Sequence, residues 1–359
     1  MLNKDQISLL FSQSHSGRSN SILCIAQADT VSVWKTGFET HELVNTYSVS
    51  KLIVTLAAYC AWETGAIDFD RPVRDYWPEF QEHGKGEVTV RHIMEHTSGV
   101  PYFGEQISTH DTYDWDYACS ILAKTPLLHA PGAEVVYHAR TYGFLLGEVI
   151  RRATGLTLSE FVQANLSFDH NYFYFGVPSS ELANVKRLYL PTDIEIKPHA
   201  YQASHAKQIP HDAAPYGSTV FQNPTNDILA PNDDKWLSAA IPSSGGVSNA
   251  VMIVGIVRNF FARHPRSREK IYSLTKADRL PITDKALGIP VNWIAGFEAN
   301  NGEFGAGLTS FGYRAIGGSI AFFDLHRELF VSYTTSLMIP QPGLHPAHDP
   351  RIEKILEIL

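Results

Sequence analysis

The sequence predicts an α/β (α+β) fold: one antiparallel sheet assembled from both ends of the chain, flanked by terminal helices, with a mainly helical domain inserted between. Three observations carry this. Two strand-like runs, SILCIAQ (21–27) and TVSVWKTG (30–37), lie near the start. Three more, GLTSFGY (307–313), GSIAFFDL (318–325) and ELFVSYTT (328–335), lie near the end, separated by turns short enough for an antiparallel meander. Helical segments fill the middle. The expected division is residues 1–65 with 241–359 in the sheet domain, and 66–240 in the helical one.

Taken in order, residues 4–13 read as a short amphipathic helix, and Asp29 as the turn between the first two strands. NTYSVSKLIVTLAAYCAWETG (45–65) reads as a helix that is apolar nearly all round, and therefore buried, stopped by Gly65. Helical periods follow near 88–96, 112–124, 139–153 and 157–166, and 190–240 is rich in turn residues, as long loops around a site would be. After PSSGGVSNA (242–250), where Ser248 is placed to cap, VMIVGIVRNFFAR (251–263) predicts a strong helix. NWIAGFEA (292–299) predicts one further strand, and PRIEKILEIL (350–359) a closing helix.

The 359 residues are 44% hydrophobic and 18% charged, ordinary for a globular enzyme-sized chain. A formal charge of −8 offers no basic footprint, which argues against nucleic acid as a partner. Cys24, Cys60 and Cys119 are too few and too scattered for a disulfide framework. The first residues lack a signal peptide's apolar core, and no run reaches the roughly 20 residues of a membrane helix. A cytoplasmic protein without a membrane partner is expected.

Ser48 and Lys51 stand three apart at the start of the buried helix, on one face. Ser-x-x-Lys also begins at Ser32, Ser204, Ser267 and Ser273, so context must choose among five copies. A helix start repels cations. A capping serine usually has Glu or Gln three residues on, not Lys. Spacing leaves two readings open. Ser48 is an ordinary cap with Lys51 snorkelling to solvent, or Ser48 is a nucleophile with a lysine base whose pKa burial lowers.

Three further segments follow in order: VRHIMEHTSGVPY (90–102), PGAEVVYHARTYGFLLGEVIRRATG (131–155) and FGYRAIGGSIAFFDL (311–325). With Ser48-x-x-Lys51 they resemble the serine β-lactamase and DD-peptidase superfamily. The likeness is to the class C β-lactamase-like branch, with its family VIII carboxylesterases and lovastatin-type acyltransferases. The resemblance runs from about residue 20 to the C-terminus and implies a β-lactamase/transpeptidase-like fold. It implies Ser48 as the acylated nucleophile, Lys51 as its proton partner and Tyr137 as the second-motif tyrosine, which a nearby ammonium would favour as phenolate. His138, beside Tyr137, falls among the substrate-binding positions.

Two departures bear on substrate. Ala139 stands where the β-lactamases have an Asn that binds a substrate amide, which points to an ester more than a β-lactam. Tyr313-Arg314-Ala315 replaces Lys-Thr-Gly or His-x-Gly. There Tyr313 would donate a hydrogen bond near Ser48, and the planar fork of Arg314 would suit a substrate carboxylate. The Ile316 and Ser48 N–H groups would form the oxyanion hole, and Gly317 and Gly318 would permit close backbone approach.

The implied partner is a small-molecule ester or amide, with no metal or organic cofactor. Hydrolysis and acyl transfer share the same acyl-Ser48 and remain alternatives. Two rivals from other classes stay open: a zinc site at His92-x-x-Glu95-His96, and a non-catalytic binding protein on the same fold.

Overall fold

The computed structural model describes residues 3–15, 20–190, 214–224, 228–274, 280–339, 349 and 351–359. Its strands are β1 (Ser21–Gln27), β2 (Thr30–Thr36), β3 (Val44–Asn45), β4 (Val247–Ser248), β5 (Ile282–Thr283), β6 (Pro290–Val291), β7 (Trp293–Ile294), β8 (Phe297–Ala299), β9 (Ser310–Arg314), β10 (Ile320–Asp324) and β11 (Leu329–Thr335). The main sheet runs β2-β1-β11-β10-β9-β8-β7, antiparallel throughout. The two ends of the chain meet where β1 pairs β11, from Ser21 opposite Thr335 to Gln27 opposite Leu329.

The helices are α1 (Lys4–Ser14), α2 (Val49–Glu63), α3 (Val90–Met94), α4 (Trp115–Lys124), α5 (Thr141–Thr154), α6 (Leu158–Asn165), α7 (Gly217–Phe221), α8 (Asp234–Ser238), α9 (Ala250–Arg263), α10 (Pro265–Leu274) and α11 (Glu353–Leu356). Because side chains alternate along a strand, β1 serves two cores. Ile22, Cys24 and Ala26 join the main core with α2 and α9. Leu23 and Ile25 face Ile7 and Phe11 of α1 and Ile355 of α11. Both faces being covered explains why β1 reads as a continuous apolar run.

Helix α2 is buried at every position from Val49 to Ala61. It packs on α5 to one side and on β9 to the other. Leu52 and Leu56 have no exposure, so truncating either to Ala costs about 2–5 kcal/mol. No helix among the described residues is long and apolar enough to cross a membrane.

Several expectations need correction. NWIAGFEA is two strands, because Ala295 (φ +51°) and Gly296 (φ +93°) turn the chain within the apolar run. The segment 112–124 is a short 3-10 turn and then α4, capped by Asp114. Asn249, not Ser248, caps α9, accepting from the Val251 and Met252 N–H groups; the Ser248 hydroxyl donates to the Tyr172 carbonyl instead. Most of the loop region expected at 190–240 lies outside the described residues, and α7 and α8 occupy part of the rest.

Candidate active site

A short two-stranded ladder positions the nucleophile. β3 pairs β4, and the Thr46 N–H donates to the Gly246 carbonyl at 2.9 Å. This draws the 242–246 turn against the start of α2. Tyr47 then takes φ +45°, a conformation a bulky side chain adopts only under constraint. The Asn45 side chain accepts its N–H at 3.2 Å, and its hydroxyl donates to the Ile228 carbonyl. Ser48 follows at the head of the helix.

The serine does not cap: its side chain makes no capping hydrogen bond. Lys51 does not snorkel either, being fully buried. Instead Lys51 Nζ lies 3.3 Å from Ser48 Oγ, and donates to the Ala139 and Ser243 carbonyls, each at 2.9 Å. Tyr137 donates its hydroxyl proton to the same Ser48 Oγ at 2.9 Å. Nζ also sits 4.9 Å from the centre of the Tyr137 ring.

Burial holds the Lys51 ammonium well below the ordinary lysine value, and the charge of Arg140 pushes the same way. A neutral amine has two N–H donors and one lone pair. In that neutral form, with both donors taken by carbonyls, the lone pair would turn to the Ser48 hydroxyl, whose oxygen already accepts from Tyr137. Burial raises the Tyr137 phenol above its ordinary value, partly offset by the Ser48 bond. Tyr137 is therefore held as a neutral phenol, not as the expected phenolate.

Tyr137 is fixed from behind. The Trp293 ring stacks on it at 5.4 Å and 8° from parallel. The Trp293 Nε1–H donates to Asp284 Oδ2 at 3.4 Å, and Asp284 also accepts the Ala286 and Leu287 N–H groups at 2.8 and 3.0 Å. Burial pushes the Asp284 carboxyl up to about 6. The sequence pointed to neither Trp293 nor Asp284, and no spacing signal connects them to Tyr137, more than a hundred residues earlier. Ser243 was equally hidden, since it contributes a carbonyl and not a side chain.

Three expected site residues have other duties. His138 is fully buried. Its Nδ1 meets the Val136 carbonyl at 2.7 Å, so Nδ1 carries the proton. Nε2 then accepts from Ser98 Oγ at 2.5 Å. Burial lowers its pKa to about 3, so it is a neutral strut. Arg314 is 4% exposed and grips Glu298 with two nitrogens, with Glu303 at 3.8 Å; its fork is occupied by protein carboxylates. Tyr313 is buried behind Trp293, 5.6 Å between ring centres, and makes no hydrogen bond to Ser48.

Ile316 follows β9 and is half-buried. Among the described residues, neither its N–H nor that of Ser48 donates to a partner. Gly317 (φ +87°) and Gly318 (φ +102°) carry the chain onward; a Cβ there would strike Met338 and Asp349, so their close approach is to those side chains. The two histidines of His92-x-x-Glu95-His96 part company. His92 Nδ1 accepts the Thr89 N–H at 3.1 Å, capping α3, and His96 Nδ1 accepts the His138 N–H at 3.0 Å. No group of three metal-ligating side chains stands together among the described residues.

The Beta-lactamase family model matches residues 25–352. The chain is similar to Esterase/beta-lactamase LipL of Mycobacterium tuberculosis, 26% identical over 292 residues, covering 77% of this chain and 65% of that protein. It is also similar to Monacolin J acid methylbutanoyltransferase of Aspergillus terreus, 28% identical over 142 residues, covering 33% of this chain and 34% of that one. The matches thus span just under two thirds and about a third of those relatives' lengths. Among solved structures, a family VIII carboxylesterase shares the fold with a TM-score of 0.83, at 24% identity, over 99% of this chain and 95% of that one.

Proposed function

Since this chain belongs to the Beta-lactamase family, we propose that it is a serine hydrolase that cleaves a small ester or amide through an acyl-Ser48 intermediate, working as an esterase more than as a β-lactamase. One observation carries the reading: Ser48 Oγ is held at once by Lys51 Nζ at 3.3 Å and by the Tyr137 hydroxyl at 2.9 Å.

The Lys51 lone pair takes the Ser48 proton as Oγ attacks the carbonyl carbon. The oxyanion that forms meets the N–H groups of Ser48 and Ile316. Tyr137, a neutral phenol, gives its proton to the departing oxygen or nitrogen and is reprotonated from the Lys51 ammonium. Water then repeats the sequence on the acyl-enzyme. The preference for an ester rests on Ala139, which has no side-chain amide for the amide group of a β-lactam. Hydrolysis of p-nitrophenyl butyrate tests the reading: Ser48→Ala should lower kcat/KM by roughly three orders of magnitude or more. Equal rates in a folded variant would end it.

Acyl transfer is the second reading, favoured by the similarity to a methylbutanoyltransferase. It uses the same acyl-Ser48 and differs only in the acceptor. Adding an alcohol during turnover separates the two: ester product at constant p-nitrophenol release marks transfer.

A further inference from the structure

Arg140 directly follows the residue whose carbonyl holds Lys51, and it opens α5 without capping it. The residue as a whole is half-buried. One nitrogen, Nη2, donates to the Phe221 carbonyl at 3.3 Å, while Nε is buried with no hydrogen-bond partner. Two other enclosed arginines among the described residues have carboxylate partners. Arg314 has Glu298 and Glu303, and Arg351 has Asp349. Among the described residues no carboxylate lies within ion-pairing distance of Arg140, and the titratable side chain that favours its charge is the Tyr47 phenol. Burial pushes the guanidinium down to about 10.

An enclosed cation without a counter-ion is costly, because desolvation is not repaid by a partner charge. Here the cost falls beside the nucleophile. Arg140 lies within electrostatic reach of Lys51, next to the Tyr47–Ser48 turn, where the first turn of the 14-residue α5 adds its own positive potential. Guanidinium, helix terminus and an unmatched Nε–H lie together beside Lys51 and the Tyr47–Ser48 turn. The fork geometry fits a carboxylate best.

We propose that Arg140 binds a carboxylate carried by the substrate, so that the ester or amide cleaved at Ser48 is an anionic one. This rests on the acyl-Ser48 reading. It also moves the carboxylate-binding role from Arg314, which is occupied, to an arginine with no carboxylate partner among the described residues. The carboxylate belongs to the acyl portion or to the leaving group, and the two sources are experimentally distinct.

Two substrate pairs test it at low salt. In the acyl arm, p-nitrophenyl hydrogen glutarate is compared with p-nitrophenyl methyl glutarate. In the leaving-group arm, 4-carboxyphenyl butyrate is compared with its methyl ester. In one arm kcat/KM should favour the anion by about tenfold to a hundredfold. The ratio should fall toward one in Arg140→Gln, recover in part in Arg140→Lys, and shrink with added salt. A wild-type ratio at or below one in both arms overturns the proposal, as does a preference that survives Arg140→Gln. If neutral esters are turned over at Ser48 without anion preference, only the Arg140 assignment falls. If no ester is turned over, calorimetry with glutarate decides: one-site binding lost in Arg140→Gln supports it, and no binding to wild type overturns it.

Discussion

Trp293 lies flat on Tyr137, 5.4 Å between ring centres and 8° from parallel, and the phenol whose plane it fixes donates its hydroxyl proton to Ser48 Oγ. In the proposed mechanism this orientation contributes to the rate. Tyr137→Phe keeps the stack but loses the proton, and kcat/KM should fall by about 10²–10⁴. Trp293→Leu keeps the proton but frees the ring, and should cost about 10² through misplacement. Steady-state kinetics beside a thermal melt measures both. A Trp293→Leu enzyme as fast as wild type would show that the stack only fills space.

In the proposed mechanism Lys51 works as a neutral amine, and burial holds its folded pKa well below the ordinary lysine value of 10.5. Activity should therefore be present above that folded value and fall away as the pH drops through it. Lys51→Arg puts a permanently charged group in the same place and should lose about 10²–10⁴ in kcat/KM. The pH–rate profile checks the assignment, because the ascending limb should vanish from the residual activity of Lys51→Ala. A limb that persists there belongs to another group.

Asp284 carries a carboxyl raised from 3.8 to about 6. The folded state holds this proton more tightly than the unfolded one. Its contribution to stability is thus present below pH 4 and withdrawn as the pH rises through 6. Between pH 4 and 7 the wild type should lose about 2–3 kcal/mol relative to Asp284→Asn. Urea midpoints at the two pH values give the comparison, and parallel behaviour of the two proteins would contradict it.

Arg314 and Glu298 are both nearly inaccessible, 4% and 5% by side chain. Arg314→Leu strands the Glu298 carboxylate and should destabilise the fold by about 3–5 kcal/mol. Adding Glu298→Leu should restore most of that. Denaturant melts of the singles and the double form the cycle. Additive losses would mean that the two side chains act independently.

What could be read beforehand divides along physical lines. The meander from β9 to β11 and the Ser48 helix were legible because periodicity and short turns are local properties. Ser48-x-x-Lys51 stood out from four other copies because a cation sits at the start of a helix apolar nearly all round, and because three further segments follow it in order. Arg314 misled, since its partner Glu298 lies sixteen residues away on β8, and alternation along a strand does not reveal which face is charged. His138 misled because adjacency to Tyr137 says nothing about direction: the ring turns inward to Ser98. The carbonyls of Ala139 and Ser243 were invisible because every residue has one. Only the fold chooses which carbonyls meet a lysine.

The most direct measurement is the intact mass of the protein after exposure to p-nitrophenyl butyrate, a penicillin and a fluorophosphonate, wild type beside Ser48→Ala. The account predicts a single adduct on wild type with the fluorophosphonate and transiently with the ester, little with the penicillin, and none on Ser48→Ala. A folded wild type that every probe leaves unmodified, or an adduct that survives in Ser48→Ala, would contradict it.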